Sequence, residues 1–256
     1  MYNKQVTGGI ITLLFVLFLI YEPDYKNVNN IPKSGLLVFA HRGFGNYGPD
    51  NSLAAVKMAI KAEIDGVDLD GQMTADGKLV IYHDPKLDRL TDGTGSLKEK
   101  TLAQLKELDL GFKFHEKFRG EKISTYEEIL KEVNGRLKIF VELKTSTIGS
   151  DSSEDIAVGL IQKYNAHEWA YLSSFNPFVL YRIKKLDEKV NTMFIFKDVN
   201  VDPEILKEIH PTDTKGIPWM LRNEFCRSLI RRWTKPDFLS AEITVNKKTV
   251  MKLMLE

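Results

Sequence analysis

The sequence predicts an α/β fold, and within that class a TIM (β/α)8-type barrel. Three observations carry this reading. Short apolar runs recur along the chain and alternate with amphipathic stretches of helical spacing, the pattern of a parallel sheet with helices packed outside it. The first run of the soluble part, residues 36–40 (LLVFA), ends in His41-Arg42-Gly43-Phe44-Gly45, with charged side chains where an open doubly wound sheet, the other candidate, would usually offer a Gly-rich phosphate loop. Polar residues at strand C-termini are what a barrel active site requires.

The elements follow in order. Asp50 or Ser52 can cap a helix to about Lys61, with Leu53, Val56 and Ile60 on one stripe. Strands are expected over 66–70 and, after the turn Ala75-Asp76-Gly77-Lys78, over 79–82. The stretch from 84 to 125 is too long for a plain loop and is expected to be a small insertion with its own structure. A helix at 126–133 leads to the apolar strand 137–143. Then come helix 152–164, strand 169–173, helix 177–186, strand 192–196, helix 203–209, strand 237–241 and a last helix near 247–255.

Composition narrows the function classes. With 36 Lys+Arg against 35 Asp+Glu, the net charge of +1 lacks the basic excess that phosphate-neutralising nucleic-acid binders show. At 43% hydrophobic and 28% charged residues the chain is globular rather than disordered. A single Cys excludes an internal disulfide framework, a Cys-rich zinc site and a CxxC motif. Ahead of the soluble part, residues 6–21 (VTGGIITLLFVLFLIY) carry no charge. This run is just short of a full span and no small-residue cleavage site follows it, so it reads as an uncleaved signal-anchor, over a cleaved signal peptide or a buried helix. Residues 22–33 read as a tether. The short basic start then implies a membrane-anchored protein with an extracytoplasmic catalytic domain.

Ionisable residues cluster at the predicted strand ends. His41 and Arg42 follow the first strand; Asp68 and Asp70 lie two apart on the second, facing one side. His83-Asp84 closes the strand after the Asp-Gly turn, and Glu142 and Lys144 repeat the two-residue spacing. Three carboxylates converging at one barrel mouth repel one another unless a hard divalent cation sits among them. Two histidines supply an acid and a base near neutral pH, and Arg42 offers a planar fork for phosphate oxygens. Together these suit phosphodiester cleavage. His115, His167 and His210 lack such surroundings and read as structural.

The chain resembles the glycerophosphodiester phosphodiesterases. The resemblance is carried by His41-Arg42-Gly43, Gly48-Pro49-Asp50-Asn51-Ser52, Asp68-Leu69-Asp70 with Thr74-Ala75-Asp76-Gly77, and Tyr82-His83-Asp84. It continues through Leu87-Asp88-Arg89-Leu90-Thr91, Leu108-Asp109-Leu110-Gly111, Val141-Glu142-Leu143-Lys144 and Ser173-Ser174-Phe175. It implies a TIM-barrel hydrolase that uses a divalent metal, Ca²⁺ or Mg²⁺, and releases an alcohol and sn-glycerol 3-phosphate. On this chain it implies His41 and His83 as the acid–base pair, Asp68, Asp70 and Glu142 as metal ligands, and Arg42 and Lys144 at the phosphate.

There are departures from the family pattern. Asp68 and Asp50 stand where the family usually has Glu, each a methylene shorter, which bears on metal preference. The family also closes with a Trp-Thr-Val-Asn strand and a Gly-Val-Asp strand. Ile243-Thr244-Val245-Asn246 echoes the first without its Trp, and the chain stops at Glu256. The expectation is a C-terminally shortened barrel whose open edge an oligomeric partner could cover. Two rivals accompany the enzyme reading: a related phosphodiesterase for lysophospholipid or teichoic-acid-type substrates, and a catalytically degenerate, membrane-tethered binding protein.

Overall fold

A computed structural model describes residues 37–145, 148–197 and 224–242. The apolar run 6–21, the tether, the helices expected at 203–209 and 247–255, His210 and the 243–246 motif lie outside the described residues. Among the described residues no helix is long and apolar enough to cross a membrane. The described residues divide into two units, the first running to Phe194 and the second holding those from Ile195 onward.

The first unit is built on a mostly parallel sheet. Its strands are β1 (Phe39–Ala40), β2 (Gly66–Met73), β3 (Leu79–Ile81), β4 (Ser124–Thr125), β5 (Lys138–Leu143), β6 (Ala170–Ser174) and β7 (Thr192–Lys197), whose last residues belong to the second unit. The order is β4-β3-β2-β5-β6-β7, with β1 also paired to β2. β1, β2, β5, β6 and β7 run parallel, whereas β3 is antiparallel to both β2 and β4. Strand 66–70 therefore continues three residues further than its sequence suggests. Gly71, Gln72 and Met73 pair with Ile81, Val80 and Leu79 in a hairpin closed by Thr74, which accepts from the Lys78 amide at 2.8 Å and donates to Asp76 at 2.6 Å.

The helices connecting the parallel strands are α1 (Leu53–Lys61), α3 (Tyr126–Val133), α4 (Ser153–Lys163) and α5 (Pro177–Leu186). Ser52 caps α1 by accepting from the Ala55 amide at 3.0 Å. Its buried stripe is Ala55, Val56 and Ala59 rather than the expected Leu53, Val56 and Ile60. The small residues win because the backbone comes close: a Cβ on Gly48 would lie 3.0 Å from the Ala55 Cα. Thr125 and Glu128 form a reciprocal capping box on α3. Between β3 and β4 the chain folds its own small core. Tyr82, Leu87, Leu97, Leu105, Leu110 and Ile123 are buried there around the short helix α2 (Leu102–Glu107).

The pleat sorts the side chains of β2. Val67 and Leu69 are buried on one face, while Asp68, Asp70 and Gln72 share the other. Register then stacks the second face in layers. Phe140 of β5 is opposite Asp68 and beside Tyr171 of β6, and the Phe39, Phe140 and Tyr171 rings follow one another at centroid distances of 5.1 and 5.0 Å. Gly66 makes this aromatic layer possible, because a Cβ there would stand 2.2 Å from the Phe39 ring. One layer along, Asp70, Glu142 and Ser173 line up across β2, β5 and β6.

In the second unit, α6 (Glu224–Thr234) precedes β8 (Phe238–Glu242). β8 lies where a strand is expected at 237–241. The helix was not expected, although Phe225, Leu229 and Trp233 recur at helical spacing.

Candidate active site

The site begins where β1 ends in a single tight turn, His41–Gly43. Arg42 lies in the left-handed region at φ 52°, ψ 41°, a conformation that costs a non-glycine residue free energy and recurs at functional sites. The turn aims two donors at one carboxylate. His41 Nδ1 is 2.9 Å from Asp68 Oδ2, and the Arg42 amide donates to Asp68 Oδ1 at 2.9 Å. The Asp68 hydrogen bond raises the His41 imidazole above its ordinary value, against the opposing effect of burial. The Arg42 guanidinium donates to Asp50 Oδ2 at 2.9 Å, and its Nε is buried without a hydrogen-bond partner.

Asn51 links this turn to the next carboxylate. Its φ of 60° is one that Asn tolerates. Its Oδ1 accepts from the Asp70 amide and its Nδ2 donates to Asp70 Oδ2, both at 2.9 Å. The other Asp70 oxygen is 3.1 Å from Lys144 Nζ, which is also 3.1 Å from Glu142 Oε2. Burial pulls the Lys144 ammonium down, but the Asp70 and Glu142 charges outweigh it, so the group is held above the usual lysine range.

His83 is placed by Gln72, the third residue on the Asp68–Asp70 face. Gln72 Nε2 lies 2.8, 3.1 and 2.9 Å from the carbonyls of Tyr82, His83 and Asp84. His83 Nδ1 is 2.6 Å from Asp84 Oδ1. Arg89 donates to the same carboxylate from Nε at 2.5 Å and NH2 at 3.0 Å. That hydrogen bonding, helped by His83 and opposed by burial, holds the Asp84 carboxyl at about 2. A cavity of about 520 Å³ opens at the ends of β5 and β6. His83, Glu142, Lys144 and Gln72 line it, together with Phe175 and Phe178.

All seven residues expected at the site lie in the first unit, on β2 and β5 or in the turns that follow β1, β3 and β5, six of them in two groups. His41, Arg42 and Asp68 form one; Asp70, Glu142 and Lys144 form another, joined to the first through Asn51; His83 shares the cavity with Glu142 and Lys144. The structure sets Asp70 and Glu142 around Lys144 and Asp68 beside His41. Among the described residues no three His, Cys, Asp or Glu side chains form a metal-holding group. Lys144 balances Asp70 and Glu142, and His41 with the Arg42 amide engages Asp68. The donor chemistry still fits a hard cation, since two carboxylates share one positive charge at a single point. His115 and His167 have structural partners, the Lys117 amide at 3.2 Å and Asp187 at 3.0 Å.

Asn51, Gln72, Asp84 and Arg89 are the site residues to which sequence reasoning gave no role. Gln72 was within reach, because it extends the two-residue period of Asp68 and Asp70. Arg89 lies within the Leu87–Thr91 motif of the resemblance, but its partner Asp84 follows only from the fold.

Acidic and basic side chains gathered at one end of a parallel sheet mark an active site of the barrel type, and comparison with known proteins gives its class as that of the phosphoric diester hydrolases. The chain matches the glycerophosphoryl diester phosphodiesterase family over residues 41–256, and it belongs to that family. It is 37% identical over 168 residues to a glycerophosphodiester phosphodiesterase of Caldanaerobacter subterraneus, covering 65% of this chain and 69% of that one. It is 32% identical over 202 residues to glycerophosphodiester phosphodiesterase 1 of Bos taurus, covering 77% of this chain but 60% of the relative. Among solved structures, a glycerophosphodiester phosphodiesterase from Agrobacterium tumefaciens superposes with a TM-score of 0.56 at 25% identity, covering 63% of this chain and 67% of that one. An Oleispira antarctica phosphodiesterase does so with 0.57 at 22% identity, covering 86% and 97%. The family's fold is TIM-barrel-like, and the mostly parallel α/β sheet agrees with it.

Proposed function

We propose that this chain hydrolyses glycerophosphodiesters to an alcohol and sn-glycerol 3-phosphate, with a divalent metal and with His41 and His83 as the acid–base pair. The observation that carries the reading is that both imidazoles are oriented alike, each with Nδ1 on a carboxylate, Asp68 at 2.9 Å and Asp84 at 2.6 Å. An imidazole held that way through Nδ1 offers Nε2 for proton transfer. One histidine takes the proton of the attacking oxygen and the other delivers one to the leaving alcohol.

Arg42 and Lys144 supply positive charge for the phosphodiester oxygens. Asp50 orients the Arg42 guanidinium. Asp70 and Glu142, joined by Asp68, would hold Ca²⁺ or Mg²⁺, and the ion when bound would contribute Lewis-acid polarisation of the phosphoryl group. The shared cation position between Asp70 and Glu142 supports that choice of ligands. Calcium suits the shorter Asp68, because its coordination tolerates variable ligand distances. The apolar run 6–21 supports attachment to a membrane, with the catalytic domain outside the cytoplasm.

Release of glycerol 3-phosphate from glycerophosphocholine and glycerophosphoethanolamine, and of choline with lysophosphatidic acid from a lysophosphatidylcholine, tests the substrate class. Turnover of the first two is expected. Turnover of the lysophospholipid alone would move the assignment to lipid substrates, and no turnover of any would leave a binding protein.

A further inference from the structure

We infer that Arg89, carried by the insertion between β3 and β4, is a positioning residue for His83 and acts through Asp84. The inference rests on the proposed role of His83 and extends it to a residue outside the strand ends. Arg89 grips Asp84 with two nitrogens, at 2.5 and 3.0 Å, and Asp84 in turn meets His83 Nδ1 at 2.6 Å. A carboxylate doubly engaged by a guanidinium is an acceptor only, so the hydrogen between Asp84 and His83 sits on the ring. His83 is thereby fixed as the Nδ1–H tautomer, with its Nε2 lone pair available. Gln72 holds the backbone of the same turn.

Arg89 also reaches the other half of the site. Its NH2 lies 3.7 Å from Asp50 Oδ2, the oxygen that accepts from Arg42 NH1. An alternating series of charges thus runs from His83 through Asp84, Arg89 and Asp50 to Arg42, whose amide shares Asp68 with His41. The insertion consequently does more than cover apolar surface: one of its first residues joins the surroundings of both imidazoles. Glu142, Lys98 and Lys144 line the same cavity as His83, but its Nδ1 is engaged by Asp84.

The test is long-range ¹H–¹⁵N correlation of the histidine rings in the full chain labelled with ¹⁵N-histidine, with His83 assigned from a His83→Asn variant. Wild-type neutral His83 is expected to carry its proton on Nδ1. In Arg89→Gln the ring is expected to populate both tautomers, and kcat to fall by about 10- to 100-fold, of the order found when the outer partner of a metal-bound histidine is removed, with KM little changed. Arg89→Lys, a point charge in place of a fork, is expected to restore part of both. If Arg89→Gln fails to fold, Asp84→Ala, which removes the same ring partner, is expected to mix the tautomers likewise. An Nε2–H tautomer in the wild type, or an unchanged ring signature in these variants, overturns the inference. An Nδ1–H ring in a protein with no turnover would instead overturn the proposed function and leave this inference standing.

Discussion

Asp70 and Glu142 are register partners on the parallel strands β2 and β5, and each places a carboxylate oxygen 3.1 Å from the ammonium of Lys144. Both carboxylates are mostly shielded from solvent, at 8% and 19% side-chain exposure, so they depend on a cation between them.

Lys144→Met is therefore expected to cost about 3 kcal/mol in the absence of divalent metal, because it leaves two facing carboxylates without compensation. Millimolar Ca²⁺ is expected to recover more stability in this variant than in the wild type. Thermal melts with and without Ca²⁺ measure both effects. Equal metal responses would remove Asp70 and Glu142 from the ligand set.

Asn51→Ala is expected to lose two hydrogen bonds to Asp70, one of them to a charged group, and to force alanine into the left-handed region at φ 60°. Together these amount to about 2–4 kcal/mol by urea denaturation. Asn51→Gly, which accepts the backbone angle, is expected to lose only the hydrogen-bond part, and the difference between the variants isolates the conformational cost.

Asp187 sets an acid limit on the fold. Burial acts to raise its carboxyl, but hydrogen bonds from Gln162, His167 and the Lys189 amide prevail and lower it from 3.8 to about 2. A depressed folded-state value adds stability that is fully present above the unfolded value and is lost as pH falls through the folded one. The loss is expected between about pH 4 and pH 2, with a size of about 2 kcal/mol. Asp187→Asn is expected to flatten the stability profile across that window, read by urea melts at successive pH values.

The parts of this molecule legible in its sequence are those set by short-range rules. Alternating apolar and amphipathic segments place β5, β6 and β7 to within a residue at each end, Ser52 is one of the two caps expected for α1, and the two-residue spacing puts Asp68 and Asp70 on one face. The illegible parts depend on partners distant along the chain. The extension of β2 through Met73 requires its antiparallel neighbour β3, and the alanine stripe of α1 follows from backbone approach at Gly48. The resemblance implies a place at the phosphate for Lys144. Its position between Asp70 and Glu142 follows only from the register of β2 against β5. Arg89 likewise gains a role once the insertion folds back onto Asp84.

The most direct measurement is glycerol 3-phosphate release from glycerophosphocholine by the wild type, His41→Ala and His83→Ala, each with Ca²⁺ or with a chelator. The account expects turnover only in the wild type with metal, and a fall of at least about 100-fold in either variant, the lower end of what a positioned acid or base contributes. Undiminished turnover with chelator, or in both histidine variants, would contradict it.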